Sequence, residues 1–198
     1  MEHYEIIGVG AEARLYVSDM FNMEMVVKER SPKRYREGAL DLKIRKNRTK
    51  TEARIMFKLS RAGVRCPRIM ALGKFSIYME KLNGTLLKDK PITNKEIAES
   101  ARILSKMHSL NIAHGDFTPA NLISDGNSVY VIDFGLSEVT PSDEEKAIDL
   151  LLMKRSIKVN LYRVFEKEYA KGYPESRTIL NRLKEVERRG RYQVRTLA

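Results

Sequence analysis

Apolar and polar side chains alternate along residues 3–30, first in YEIIGVGAEARLYV and then in MEMVVKE, with a glycine-containing break and a turn at Asp19–Asn22. A period of two predicts antiparallel strands joined by turns. Residues 31–47 are strongly basic and weakly periodic, so this stretch is expected to be a loop or an arm. The period lengthens at Thr49: Ala53, Met56, Phe57 and Leu59 form one stripe of a helix that should close at Gly63. IMALGKFSIYME (69–80) then reads as a strand, a glycine turn and a second strand, and Asn83–Gly84 as a loop.

The second half has a helical period. Thr93 with Glu96, and Ser142 with Glu145, have the spacing of capping boxes. The first opens a helix with Ile97, Ala101, Leu104 and His108 on one face; the second opens one carrying Ala147, Ile148, Leu151 and Leu152. Short strands are expected at 122–123 and 129–133, around Asp125–Gly126–Asn127. Two more helices follow, over 157–171 and 174–189, the second with Pro174 in its first turn and ending at Gly190. The pattern predicts an α+β chain in two lobes. Residues 1–82 form an antiparallel sheet plus one helix, 83–188 a reduced, mostly helical lobe, and 189–198 a basic tail.

Composition adds three limits. No apolar run of about eighteen residues could span a bilayer, and MEHYEIIGVG lacks the basic and apolar regions of a secretory signal. No membrane association is therefore expected. Cys66 is the lone cysteine, which cannot staple a fold and reads as a small buried hydrophobe in a reducing, cytoplasmic setting. The net charge of +11 is concentrated in two clusters, Lys28–Lys58 and Arg177–Arg195, which suits polyanionic partners such as nucleic acid as well as a solvated surface.

The chemistry concentrates in HGDFTPAN (114–121) and in Asp133–Phe134–Gly135. The first puts Asp116 and Asn121 on one tight loop; the second ends an apolar strand in a carboxylate. Two carboxylates and an amide oxygen converging on one hairpin suit Mg²⁺. Phosphoryl transfer needs such an ion against developing charge, and a separate carboxylate to orient the attacking hydroxyl. Asp116 is assigned the catalytic role, and Asn121 and Asp133 the metal. Upstream, Gly8, Val9, Gly10, Ala11, Glu12 and Ala13 fall between predicted strands, where glycines let backbone N–H groups approach phosphates. Lys28 ends Val26–Val27–Lys28 on a strand and can reach phosphates, and Glu52 on the following helix can hold it by charge. Each piece alone has a plainer explanation: a hairpin turn, a solvated lysine, a carboxylate favouring a helix N-terminus. It is their order that carries the reading.

With these pieces in order, the chain resembles the protein-kinase superfamily over about residues 5–155. The resemblance implies ATP binding, with adenine on the backbone at Glu80, Lys81 and Leu82. The departures narrow the branch. Ala13 replaces the third glycine, Gly115 the arginine after the loop histidine, and Thr118 the usual lysine; no A-P-E follows. Regulation by loop phosphorylation is not expected. GVGAEA, HGDFTPAN, DFGLS and Arg189–Gly190–Arg191 are similar to the small Kae-associated kinases of the KEOPS complex, near the RIO kinases. That resemblance implies a Ser/Thr kinase and ATPase partnered with the threonylcarbamoyl-transferase subunit and other KEOPS subunits. It also implies a tail that contacts tRNA through Arg188, Arg189, Arg191 and Arg195. The competing expectations are a kinase of small hydroxylated molecules, which shares H-G-D-x-x-x-x-N, and a non-catalytic scaffold.

Overall fold

The computed structural model describes residues 5–10, 12–20 and 23–196. Two compact units divide the chain, Met1–Asn83 and Gly84–Ala198.

The first unit is an antiparallel sheet and one helix. Strands β1 (Glu5–Val9), β2 (Ala13–Met20), β3 (Met23–Arg30), β4 (Ile69–Leu72) and β5 (Ser76–Glu80) take the order β1-β2-β3-β5-β4. The alternation read from the sequence is that of the sheet: Met25 and Val27 on β3 and Ile77 and Met79 on β5 are buried. The turn expected at Asp19–Asn22 falls partly on Phe21 and Asn22, which lie outside the described residues; Asp19 still pairs with Glu24.

Helix α1 (Gly38–Arg61) begins well before Thr49, which corrects the loop expected over 31–47. Two carboxylates explain the early start. Glu37 accepts from the N–H groups of Ala39 at 3.0 Å and Leu40 at 3.1 Å, satisfying donors that the first turn leaves open. Buried Asp41 accepts from Arg45 Nε at 2.6 Å and from the Lys33 N–H at 3.2 Å. Thr49, Glu52, Ala53, Met56 and Leu59 make the buried stripe. The helix closes as expected: Gly63 has φ +75°, and the Val64 N–H reaches back to the Leu59 carbonyl at 2.9 Å. Cys66 is buried, and burial pushes its thiol up to about 12.

In the second unit, α2 (Asn94–Ser109) packs on α4 (Val159–Gly172), and α3 (Asp143–Ser156) on α5 (Ser176–Thr196). Both capping boxes are formed, Thr93 with Glu96 and Ser142 with Glu145. Pairs as short as β6 (Thr85–Leu86), β7 (Ile112–Ala113) and β10 (Glu138–Val139) were not anticipated. With β8 (Leu122–Ser124) and β9 (Val129–Val131) they build a β6-β8-β9 ladder and a β7-β10 ladder. Pro174 precedes α5 instead of opening it, and α5 runs through Gly190 to Thr196, where a helix end and a tail were expected. Among the described residues no helix is long and apolar enough to cross a membrane.

Candidate active site

In the first unit, three charged side chains meet below the sheet surface. Lys28 and Arg30 sit two apart on β3, so both point to one face. The Glu52 carboxylate takes both: Lys28 Nζ at 2.7 Å on Oε1 and Arg30 Nη2 at 2.6 Å on Oε2. All three are nearly inaccessible, at 7%, 4% and 2% exposure. The Lys28–Glu52 pairing foreseen from the sequence is present, but Arg30 was missed. Its one sequence signal is its i+2 spacing from Lys28.

Glu12, in the glycine-containing turn, accepts from Arg48 of α1 and, at 3.4 Å, from Arg30 Nη1. The Arg48 hydrogen bond holds its carboxyl below the usual range. The turn is thereby tied to α1 by charge. Gly8 and Val9 belong to β1, Ala13 opens β2, and the Gly10 N–H closes the turn on the Ala13 carbonyl at 2.9 Å. Ala11 lies outside the described residues. The sheet ladder ends where Glu80 pairs with Met25, so the backbones of Lys81 and Leu82 lie past the last pairing. The side chains of Glu80 and Lys81 are engaged with Arg68 and Glu24.

In the second unit, the backbone brings the motif residues together. β8 and β9 pair antiparallel, and the ladder is extended by the Ile132 N–H on the Asn121 carbonyl at 3.0 Å, which places Asp133 beside Asn121. Asn121 Nδ2 donates to Asp116 Oδ2 and to the Asp116 carbonyl, both at 2.8 Å. That fixes the half-buried Asp116 carboxylate and leaves Asn121 Oδ1 as the amide's acceptor. His114, fully buried, spans the two motifs: Nδ1 accepts from the Asp116 N–H at 3.2 Å, and Nε2 lies 3.1 Å from the Ile132 carbonyl. These partners assign the ring proton to Nε2. Its ring packs against Phe117 edge-on and Phe134 at a tilt, with centroids at 5.6 and 5.4 Å.

Asp133 has φ +61°, a left-handed conformation that aspartate tolerates better than most residues, and its Oδ1 accepts from the Gly135 N–H at 3.1 Å. Gly115 has φ +81°, and a Cβ there would lie 2.4 Å from the Leu136 carbonyl oxygen. No other residue fits without moving that backbone, which explains why the usual arginine is absent. After Gly135 the chain turns straight back. Ser137 Oγ donates to the His114 carbonyl at 3.0 Å, and the Thr140 N–H to the Asn111 carbonyl at 2.9 Å.

The residue that sequence reasoning missed here is Asp149, fully buried in α3. Its Oδ2 accepts from the His114 N–H at 2.7 Å, its Oδ1 from the Gly115 N–H at 2.8 Å, and His108 Nε2 lies 3.1 Å from Oδ2. His108 Nδ1 in turn meets the Tyr169 hydroxyl at 2.7 Å. Burial pulls the His108 ring below its ordinary value, so it is neutral and donates through Nε2. An acid inside the apolar run Ala147–Leu151 was the available signal.

Oxygen donors at Asp133 and Asn121 suit Mg²⁺, which takes one or two carboxylates and completes its shell with water and phosphate oxygens. Among the described residues no cluster of three or more His, Cys, Asp or Glu could hold a metal unaided. Of the expected tail residues, Arg189 pairs with Glu144 at 3.0 Å, Arg188 is exposed, and the side chains of Arg191 and Arg195 lie outside the described residues.

Residues 16–179 match the RIO domain family. The KEOPS complex subunit Bud32 of Pyrococcus abyssi is 36% identical over 215 residues, covering 97% of this chain and 98% of its own. A probable serine/threonine-protein kinase BUD32 homolog of Archaeoglobus fulgidus is 35% identical, covering 93% and 94%. A probable bifunctional tRNA threonylcarbamoyladenosine biosynthesis protein of Methanosarcina mazei is 35% identical over 95% of this chain, which spans only 36% of that protein. Among solved structures, the Rio2 kinase–ADP/Mg²⁺–phosphoaspartate complex of Chaetomium thermophilum shares the fold, with TM-score 0.68 at 14% identity over 97% of this chain and 71% of that one.

Proposed function

The chain belongs to the RIO domain family, and we propose that it is an atypical Ser/Thr kinase and ATPase. It uses Mg-ATP and serves as a subunit of the KEOPS complex in threonylcarbamoyl-adenosine modification of tRNA. The observation that carries the chemistry is the Asp116 carboxylate locked by Asn121 Nδ2 at 2.8 Å beside Asp133. End-to-end similarity to a protein named as a KEOPS complex subunit supports the setting, and similarity to one named as a probable serine/threonine-protein kinase disfavours the small-molecule kinase. The transferase subunit and tRNA enter as proposed partners.

In this reading Asp116 orients the attacking oxygen, of a serine or of water, and draws its proton as the bond to the γ-phosphorus forms and the bond from that phosphorus to ADP breaks, ADP leaving with the bridging oxygen. Asn121 does two jobs: Nδ2 fixes Asp116, and Oδ1 with the Asp133 carboxylate would hold Mg²⁺. The ion, when bound, neutralises charge building on the transferred phosphoryl group. Lys28, held by Glu52, steadies the α- and β-phosphates. The Gly8–Ala13 turn covers them, and the backbone at Glu80–Leu82, of which Lys81 and Leu82 lie past the last strand pairing, takes the adenine edge. Residues 1–82 and 83–188 act as the two lobes, with Arg188, Arg189, Arg191 and Arg195 on the tRNA side.

The test is ATP turnover by the chain alone, and with tRNA and a transferase partner. Asp116→Ala should lose about 10²–10⁴-fold in kcat while ATP affinity stays within a few-fold. Hydrolysis at the wild-type rate by that variant would remove Asp116 from the mechanism.

A further inference from the structure

The basic segment that sequence analysis left unassigned becomes, in the structure, a surface with one sign of charge. Lys43, Lys46, Lys50, Arg54 and Arg61 are all exposed on α1. At 3.6 residues per turn they fall within roughly 80° of arc, and the ridge runs about 27 Å along the axis. The helix has two acids, Asp41 and Glu52, and both are buried on the opposite side. There they are spent on Arg36 and Arg45, and on Lys28 and Arg30. Among the described residues none of the five ridge cations forms an ion pair. Like charges at i,i+4, as in Lys46–Lys50–Arg54, weaken a helix on their own, so this pattern runs against stability unless an anion covers it.

We propose that the outer face of α1 is a binding ridge for an RNA phosphate backbone, separate from the C-terminal arginines. A row of cations of this length follows several consecutive phosphates. Asn47 borders the row and offers a polar side chain. The half-exposed ring of Phe57, beside Arg61 at 5.8 Å, offers a face for stacking. A lipid surface fits less well: an interfacial helix buries its apolar face in the bilayer, and the apolar face of α1 is already packed on the sheet. The inference deepens the tRNA side of the proposed function, yet it is read from binding alone, so it stands or falls apart from turnover and tRNA modification.

The experiment is fluorescence anisotropy of a labelled tRNA transcript with the full chain, from about 50 to 200 mM salt. Lys50→Gln with Arg54→Gln should weaken binding and flatten the log–log salt slope by about 1.4–1.8, the value for two phosphate contacts. ATP turnover without RNA should stay unchanged, which reports an intact fold. The control pair Lys95→Gln with Lys167→Gln removes the same net charge from exposed sites on α2 and α4, and should leave the slope as in wild type. Equal losses in both pairs would mean diffuse attraction to a basic chain, and no loss in the ridge pair would mean an idle surface. Either result overturns the proposal. So does a ridge-dependent affinity for phosphatidylserine vesicles matching that for RNA, which would assign the ridge to lipid.

Discussion

Replacing Asp149 by asparagine exchanges one oxygen for an NH₂ group at a fully buried position that faces three donors. If the amide oxygen takes the place of Oδ2, it keeps the His114 N–H and His108, but Nδ2 then confronts the Gly115 N–H, donor against donor. A hydrogen bond to a charged acceptor is worth about 1.5–3 kcal/mol, and a buried donor left unsatisfied costs about 1–3 kcal/mol. Partial relaxation brings the sum to about 3–5 kcal/mol. At about 2–4 °C per kcal/mol for a chain of this size, the melting temperature should fall by about 6–20 °C. The loop that loses its anchor also carries Asp116, and a displacement near 1 Å can cost about 100-fold in rate. Circular dichroism melting and steady-state ATP turnover below the new midpoint check both. The loss should appear in kcat with KM for ATP nearly unchanged. A variant that melts within about 2 °C of wild type and turns over normally would refute the claim that Asp149 holds the loop.

Two further outcomes follow from the buried charges. Glu52→Gln strands Lys28 and Arg30 without their counter-charge and should cost about 3–5 kcal/mol; Lys28→Met leaves Arg30 on Glu52, so it should melt much closer to wild type while losing turnover. Equal melting losses in the two variants would show that Arg30 does not share Glu52. At Glu96, burial works to raise the carboxyl, but hydrogen bonds from Lys90, Ser124 and Thr93 outweigh it and bring it down to about 2. A depressed carboxyl lends stability above its unfolded value of 4.5, lost as pH falls from there towards 2. Glu96→Gln should therefore flatten the acid limb of a melting-temperature profile in that window, and an unchanged limb would contradict the hydrogen-bonding account.

What could be read from the sequence was set by locality. The capping boxes at Thr93 and Ser142 and the strand pattern of β2 and β3 lie in short windows, and the structure has them there. The start of α1 was hidden because Lys and Arg at successive positions mask a helical period. What nucleates that turn is a pair of acids, Glu37 and Asp41, whose partners include Lys33 and Arg36 outside the helix. The ladders of β7 and β10 are too short to leave a periodic trace and exist only because the chain folds back after Gly135. At the site, Lys28 with Glu52, and Asp116 with Asn121, could be matched from motif order. Arg30 and Asp149 could not, since each takes its meaning from a contact made far along the chain.

The glycine after the loop histidine has a consequence for how this chain can change. With a Cβ at Gly115 meeting the Leu136 carbonyl at 2.4 Å, an arginine substituted there alone would not fit. The segment after Asp133–Phe134–Gly135 would first have to lift away, undoing the Ser137 bond to His114 and the Thr140 bond to Asn111. A phosphate-operated switch is thus several simultaneous steps distant for this lineage. Control that arises by small increments is left to reach the loop from outside, through whatever docks against it.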